Sequence, residues 1–121
     1  MDKAQALTSF WNGFDLPAYD ENSVPQDATM PYITFSVGTG SLDDDISLTA
    51  SLWYYSNSWQ AISRKADEIS AGIGLGGKTM KLDNGYLWIK RGTPFANRME
   101  DINLGVRRIA INITAEFLTQ D

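Results

Sequence analysis

The chain has 121 residues, 43% of them hydrophobic and 12% aromatic, which suits one globular domain able to close a single core without staples. Ten lysines and arginines against fifteen aspartates and glutamates leave a net charge of −5, which argues against a surface built to grip nucleic-acid phosphates. Cysteine and histidine are both absent, which excludes disulfides, thiolate or imidazole zinc sites, cysteine nucleophiles and the commonest neutral-pH base.

No apolar run approaches the length a membrane helix needs, and the first residues, MDKAQALTSF, lack the apolar core of a signal peptide, so a soluble, cytoplasmic protein with no membrane partner is expected. Residues 2–13 predict a short amphipathic helix: Asp2 suits its start, Leu7, Phe10 and Trp11 share a face, and Gly13 ends it. Residues 15–31 carry Pro17, Pro25 and Pro31 among four acidic side chains and predict an extended arm without regular structure.

Strict alternation then predicts a strand over about 32–37, with Ile33, Phe35 and Val37 inward, and a second over about 46–55, with Ile46, Leu48, Ala50 and Leu52 inward. The polar stretch 38–45 between them makes the pair an antiparallel hairpin with a long loop. Asp43, Asp44 and Asp45 in that loop resemble a hard-cation cluster, but consecutive carboxylates point in different directions, which favours a solvated loop.

A central helix over 58–72 follows, with Ser56, Asn57 or Ser58 as its cap and an apolar stripe of Trp59, Ile62, Ala66, Ile69 and Ile73. Beyond it, Asn84-Gly85 between two strand-like runs predicts a tight hairpin of strands 79–82 and 86–91. Residues 92–105 read as a second long irregular segment, and 106–117, with Ile109, Ile111, Ile113, Ala115 and Phe117 on one face, as the last strand. Together these elements predict an α+β (α/β two-layer) domain over 1–121, a mainly antiparallel sheet of about five strands with two helices packed on one face. Its other face would carry Tyr32, Trp53, Tyr55, Tyr86 and Trp88, more large aromatics than a solvated face needs, as expected of an interface or of a binding module for a peptide or small ligand.

The stretch Gly72-Ile73-Gly74-Leu75-Gly76-Gly77-Lys78-Thr79 fits the phosphate-loop pattern letter for letter, and Gly72, Gly74 and Gly77 fit a dinucleotide fingerprint. Both chemistries need a strand entering the loop, and a helix leaving it with its positive dipole end toward the phosphates. Here the order is helix, loop, strand, so the glycines are expected to stop the helix and reverse the chain, and nucleotide binding is the disfavoured alternative. Arg91, Arg98, Arg107 and Arg108 bracket the second irregular segment, and surface ion pairs with Glu100 and Asp101 are the favoured account over a basic patch for an acidic partner or passing DNA. The glycosylation triplet Asn112-Ile113-Thr114 falls inside a strand and is set aside.

In FWNGFDLPAYDENSVPQDATMPYITFSV, ASLWYYSNSWQAISRKADEI, and GYLWIKRGTPFANRM followed by RRIAINITAEF, the chain resembles the tail-terminator or tail-completion proteins of long-tailed bacteriophages, often called minor capsid proteins. The resemblance implies an α/β subunit that assembles on itself, typically as a six-membered ring, at the head-proximal end of the tail tube. There it would stop tail polymerisation and offer a docking surface to the head–tail connector protein, with no cofactor and no catalysis. The partners implied are further copies of the chain, the tail tube protein and the connector, with DNA passing through the lumen without specific binding, in a virion assembled in the host cytoplasm. A head-completion or stopper protein of the neck is the alternative within the same class. The surface residues put forward for subunit or partner contacts are Tyr32, Asp43, Asp44, Asp45, Trp53, Tyr55, Lys78, Trp88, Arg91, Phe95 and Arg98.

Overall fold

Asp2 starts the first helix through a capping box, its carboxylate accepting from the Gln5 N–H at 2.8 Å while Gln5 Oε1 accepts from the Asp2 N–H at 2.9 Å. The helix, α1 (Lys3–Trp11), buries Ala6, Leu7, Phe10 and Trp11 and runs into a 3-10 turn, Asn12–Phe14. These details come from a computed structural model that describes residues 1–42, 44–100 and 103–120.

Six strands form one sheet: β1 (Ala18–Asp20), β2 (Tyr32–Phe35), β3 (Asp45–Tyr55), β4 (Lys78–Leu82), β5 (Gly85–Met99) and β6 (Val106–Leu118), in the order β1-β2-β3-β6-β5-β4. The second helix, α2 (Gln60–Ile73), connects β3 to β4. Long alternating runs place β3 and β6 side by side at the centre, in register from Asp45 opposite Glu116 to Tyr55 opposite Val106. Ile33, Phe35, Leu48, Ala50, Leu52, Leu87, Ile89 and the odd-numbered residues Ile109 to Phe117 all point to one face, where both helices cover them. Trp11 stacks on Phe35 with ring centres 6.4 Å apart, and Ile62, Ala66, Ile69 and Ile73 bury the inner face of α2. Fully burying each of these large side chains contributes about 1.5–3 kcal/mol before entropy is subtracted.

The α+β class and the mainly antiparallel sheet with helices on one face agree with the sequence pattern, with corrections at four places. The segment 15–31 is not wholly irregular, because Ala18–Asp20 adds a sixth strand that pairs parallel to β2, fastened by Ile33 N–H to Pro17 O and Glu21 N–H to Phe35 O, both at 2.9 Å. The first predicted strand stops at Phe35, and Val37 is 40% exposed rather than inward. The segment 92–105 is strand as far as Met99: after Arg91 opposite Ile113, residues 92–95 face only Asn112, and pairing resumes with Ala96 opposite Ile111. Asn112 steadies this bulge by donating its Nδ2–H to the Pro94 carbonyl at 2.9 Å. Finally, Trp59 occupies the cap position of α2 with no side-chain cap, while the Ser58 hydroxyl accepts from the Gln60 N–H at 3.1 Å from one residue further out.

Candidate functional site

The glycine stretch leaves α2 at Gly74, whose N–H bonds the Ser70 carbonyl at 3.0 Å and whose φ of 77° no side chain adopts freely. Gly77, at φ 85°, turns the chain into β4 under the Trp88 indole, which donates to the Gly76 carbonyl at 2.9 Å. Strand β4 follows directly, so Lys78 and Thr79 begin a strand, and Lys78 is exposed at its start. A phosphate cradle needs a helix starting here with its N–H groups turned toward the anion. What faces the loop instead is the C-terminal, negative end of α2.

Among the described residues no helix or strand covers the sheet face opposite the helices, and its side chains fall into two groups. Across β1, β2, β3 and β6 runs a row in which Tyr19 meets Tyr32 at 5.8 Å, Tyr32 meets Trp53 at 6.5 Å, and the Arg108 guanidinium lies 4.6 Å from the Trp53 ring centre. Hydrogen bonds lock the row: Trp53 Nε1–H donates to Thr34 Oγ1 at 2.9 Å, and Arg108 Nε–H to Ser51 Oγ at 3.1 Å. Toward the other end, Lys90 sits 4.4 Å from the Trp88 ring centre and 3.6 Å from the Glu116 carboxylate. Such cation–ring contacts contribute about 0.5–1 kcal/mol each at exposed sites. Tyr55, 75% exposed, and Tyr86, 48% exposed, are the two aromatics that project from this face.

A second arrangement surrounds the start of α2. Trp59 is half-buried, with the Arg98 guanidinium 4.8 Å and the Arg107 guanidinium 5.3 Å from its ring centre. Arg107 donates Nη2–H to the Asn57 carbonyl at 3.0 Å and Nη1–H to the Leu104 carbonyl at 3.5 Å, and its buried Nε has no hydrogen-bond partner among the described residues. Arg64 and Arg98 line an open cleft there with Ser58, Gln60, Ser63 and Asp67. Further along the helix, Arg91 donates to Ser70 Oγ at 3.0 Å. Among the described residues none of the arginines forms an ion pair; Glu100 supplies no partner, and Asp101 lies outside the described residues. The ion pairs expected for Arg91, Arg98, Arg107 and Arg108 with Glu100 are therefore replaced by aromatic, hydroxyl and carbonyl contacts.

The proposed contact residues are not gathered at one place. Tyr32, Trp53 and Tyr55 lie on the open face, and Trp88 on the same face near the opposite end of the sheet. Asp45 begins β3 exposed, directly opposite Glu116, and Asp44 accepts weakly from the Ser41 N–H at 3.4 Å; Asp43 lies outside the described residues. Arg91 and Arg98 lie on the helix side of β5, and Phe95, in the bulge, packs partly buried against the core. Sequence reasoning missed Tyr19, because three residues give no alternation to detect. It assigned Trp59 wholly to the core, although a tryptophan at the cap position of a helix sits where a side chain can pack inward on one edge only. Among the described residues no helix is long and apolar enough to cross a membrane.

No protein-family model and no curated protein sequence matches the chain. A likeness appears among solved structures: a chain in the structure titled "Virion of native gene transfer agent (GTA) particle" superposes with a TM-score of 0.57 at 19% identity, over 90% of this chain and 81% of that one. At that identity the likeness is one of fold.

Proposed function

We propose that this chain is a structural protein of a tailed, phage-like virion and, within that class, a tail terminator. The observation that carries the proposal is the match of nearly the whole fold to a chain of a gene transfer agent particle. The residue resemblance to tail terminators supports the finer reading. In this reading copies of the chain form a ring, typically of six, on the head-proximal end of the tail tube, stop its growth and receive the head–tail connector. Structural work of this kind asks for surfaces rather than a catalytic constellation, and no covalent step is assigned to the chain. A net charge of −5 fits a ring whose lumen lets DNA pass without holding it. Electron microscopy of purified chain mixed with polymerised tail-tube protein tests the proposal. Rings seated on one end of the tubes are expected, and tubes that continue to elongate with no bound chain would overturn it.

A further inference from the structure

The basic residues of this chain are gathered in one part of the sequence, and the sheet order turns that into a contrast between two opposite edges. Between Ala4 and Ser63 there is no lysine or arginine, and from Arg64 onward lie nine of the ten basic residues. The first half builds β1, β2 and β3, and the second half builds β6, β5 and β4, on the other side of the sheet. One edge is therefore strand β1 with its flanking arm, bearing Asp20 with exposed Asp15, Glu21 and Asp27, none of which forms an ion pair among the described residues. The opposite edge is the outer side of β5. Strand β4 pairs with β5 only from Gly85 to Ile89, so among the described residues Lys90–Met99 has no strand partner on that side. Arg91 and Arg98 stand on this open stretch and Arg64 on the neighbouring turns of α2, again without an ion-pair partner among the described residues, and the three arginines outnumber Asp67, the carboxylate that lines the clefts beside them.

We propose that these two edges are the two halves of one head-to-tail contact: the acidic β1 edge and arm of one copy dock on the arginine-lined β5–α2 flank of the next. This rests on the self-assembling reading above and specifies the surfaces it uses. Unlike patches on opposite sides of one subunit make a heterologous contact, the kind that generates rings when its rotation closes. Complementary charge sets the register of such contacts and penalises the reversed one, since two β1 edges or two β5 flanks would oppose like charges. Unpaired carboxylates and guanidiniums lose little by being exposed in the single subunit and gain partners in the assembly.

The test uses two double variants of the full chain, Glu21→Lys with Asp27→Lys and Arg91→Glu with Arg98→Glu, all at exposed positions. Circular dichroism first establishes that both keep the native fold. Sedimentation and electron microscopy then follow self-association of the native chain, of each variant alone and of their equimolar mixture. Each variant alone should self-associate at least about tenfold more weakly than the native chain, because every contact loses the charge complementarity between its two edges. The mixture should recover association, because the unaltered arginine flank of the first variant meets the unaltered acidic edge of the second, and the introduced lysines of the first face the introduced glutamates of the second. Native association should also weaken as salt rises from about 0.05 to about 0.5 M and the screening length contracts. Variants that assemble as the native chain does, or a mixture that fails to recover, overturn the inference while leaving the assembling role intact. A native chain that stays monomeric, together with a mixture that also stays monomeric, overturns the inference; if that native chain also leaves tube ends bare, the proposed function fails with it. Loss of duplex-DNA retention in the Arg91, Arg98 variant with unchanged self-association would assign the flank to nucleic acid and overturn the inference as well.

Discussion

Three glycines within four residues make a graded test of what the stretch after α2 does. At Gly76 an added Cβ meets nothing within 4 Å and the backbone is not left-handed, so Gly76→Ala only stiffens the unfolded chain and should stabilise by about 0.4–1 kcal/mol. At Gly74 the space is equally open but φ is 77°, so alanine adds left-handed strain of about 1–2 kcal/mol. At Gly77 φ is 85° and the Cβ would also lie 2.5 Å from Trp88 Nε1 and 2.7 Å from the Ile89 carbonyl oxygen. Backbone cannot yield cheaply there, and overpacking of this kind adds about 1–3 kcal/mol to the strain. For a domain of this size each kcal/mol moves Tm by about 4 °C. Thermal unfolding followed by circular dichroism should therefore show Gly76→Ala melting about 2–4 °C above the native chain, Gly74→Ala below it, and Gly77→Ala lower still, by about 8 °C or more. Equal losses at all three, or the largest loss at Gly76, would refute the assignment of this stretch to a helix stop followed by a chain reversal.

Lys78, next to these glycines, is exposed at the start of a strand, so calorimetric titration of the native chain with magnesium-ATP should give no saturable binding, and Lys78→Ala should behave identically. Saturable binding lost in Lys78→Ala would restore the phosphate-loop reading. In the assembly reading, Lys78→Glu should weaken self-association and leave Tm unchanged. Burial pushes the Tyr54 phenol above its ordinary pKa of 10.0, with Lys65 nearby pulling it down and Glu68 pushing it further up. A tyrosine held neutral in this way contributes stability that is fully present below pH 10.0 and is lost as the pH climbs toward its raised folded value. The Tm of the native chain should therefore fall relative to Tyr54→Phe above about pH 10, and a constant difference from neutral to alkaline pH would contradict that environment.

Wherever local pattern and tertiary packing pointed the same way, the fold was legible. Alternation over Ile109 to Phe117 located the central strand because one face of β6 is buried along its whole length, and the stripe Ile62, Ala66, Ile69, Ile73 located α2 for the same reason. Strand β1 was not legible, since Ala18, Tyr19 and Asp20 become a strand only through bonds to β2, more than ten residues away. The second half of β5 was hidden by its own bulge: residues 92–95 break the alternation, and Arg98 sits on the inward-facing side, where its guanidinium is kept at the surface by Trp59. For the candidate surfaces, residue types indicated which side chains were unusual, but not which edge each would occupy. That depended on sheet order, and a strand order of β1-β2-β3-β6-β5-β4 cannot be read from periodicity.

The role at the tail end is tested most directly by removing the chain from the particle that encodes it and measuring tail length by electron microscopy. A terminator predicts tails that overrun to variable, excessive lengths and do not join heads, with uniform tails restored when the chain is supplied from a plasmid. Uniform tails of normal length left unattached would transfer the chain to head completion. Intact particles of normal length would contradict a structural role at the tail altogether.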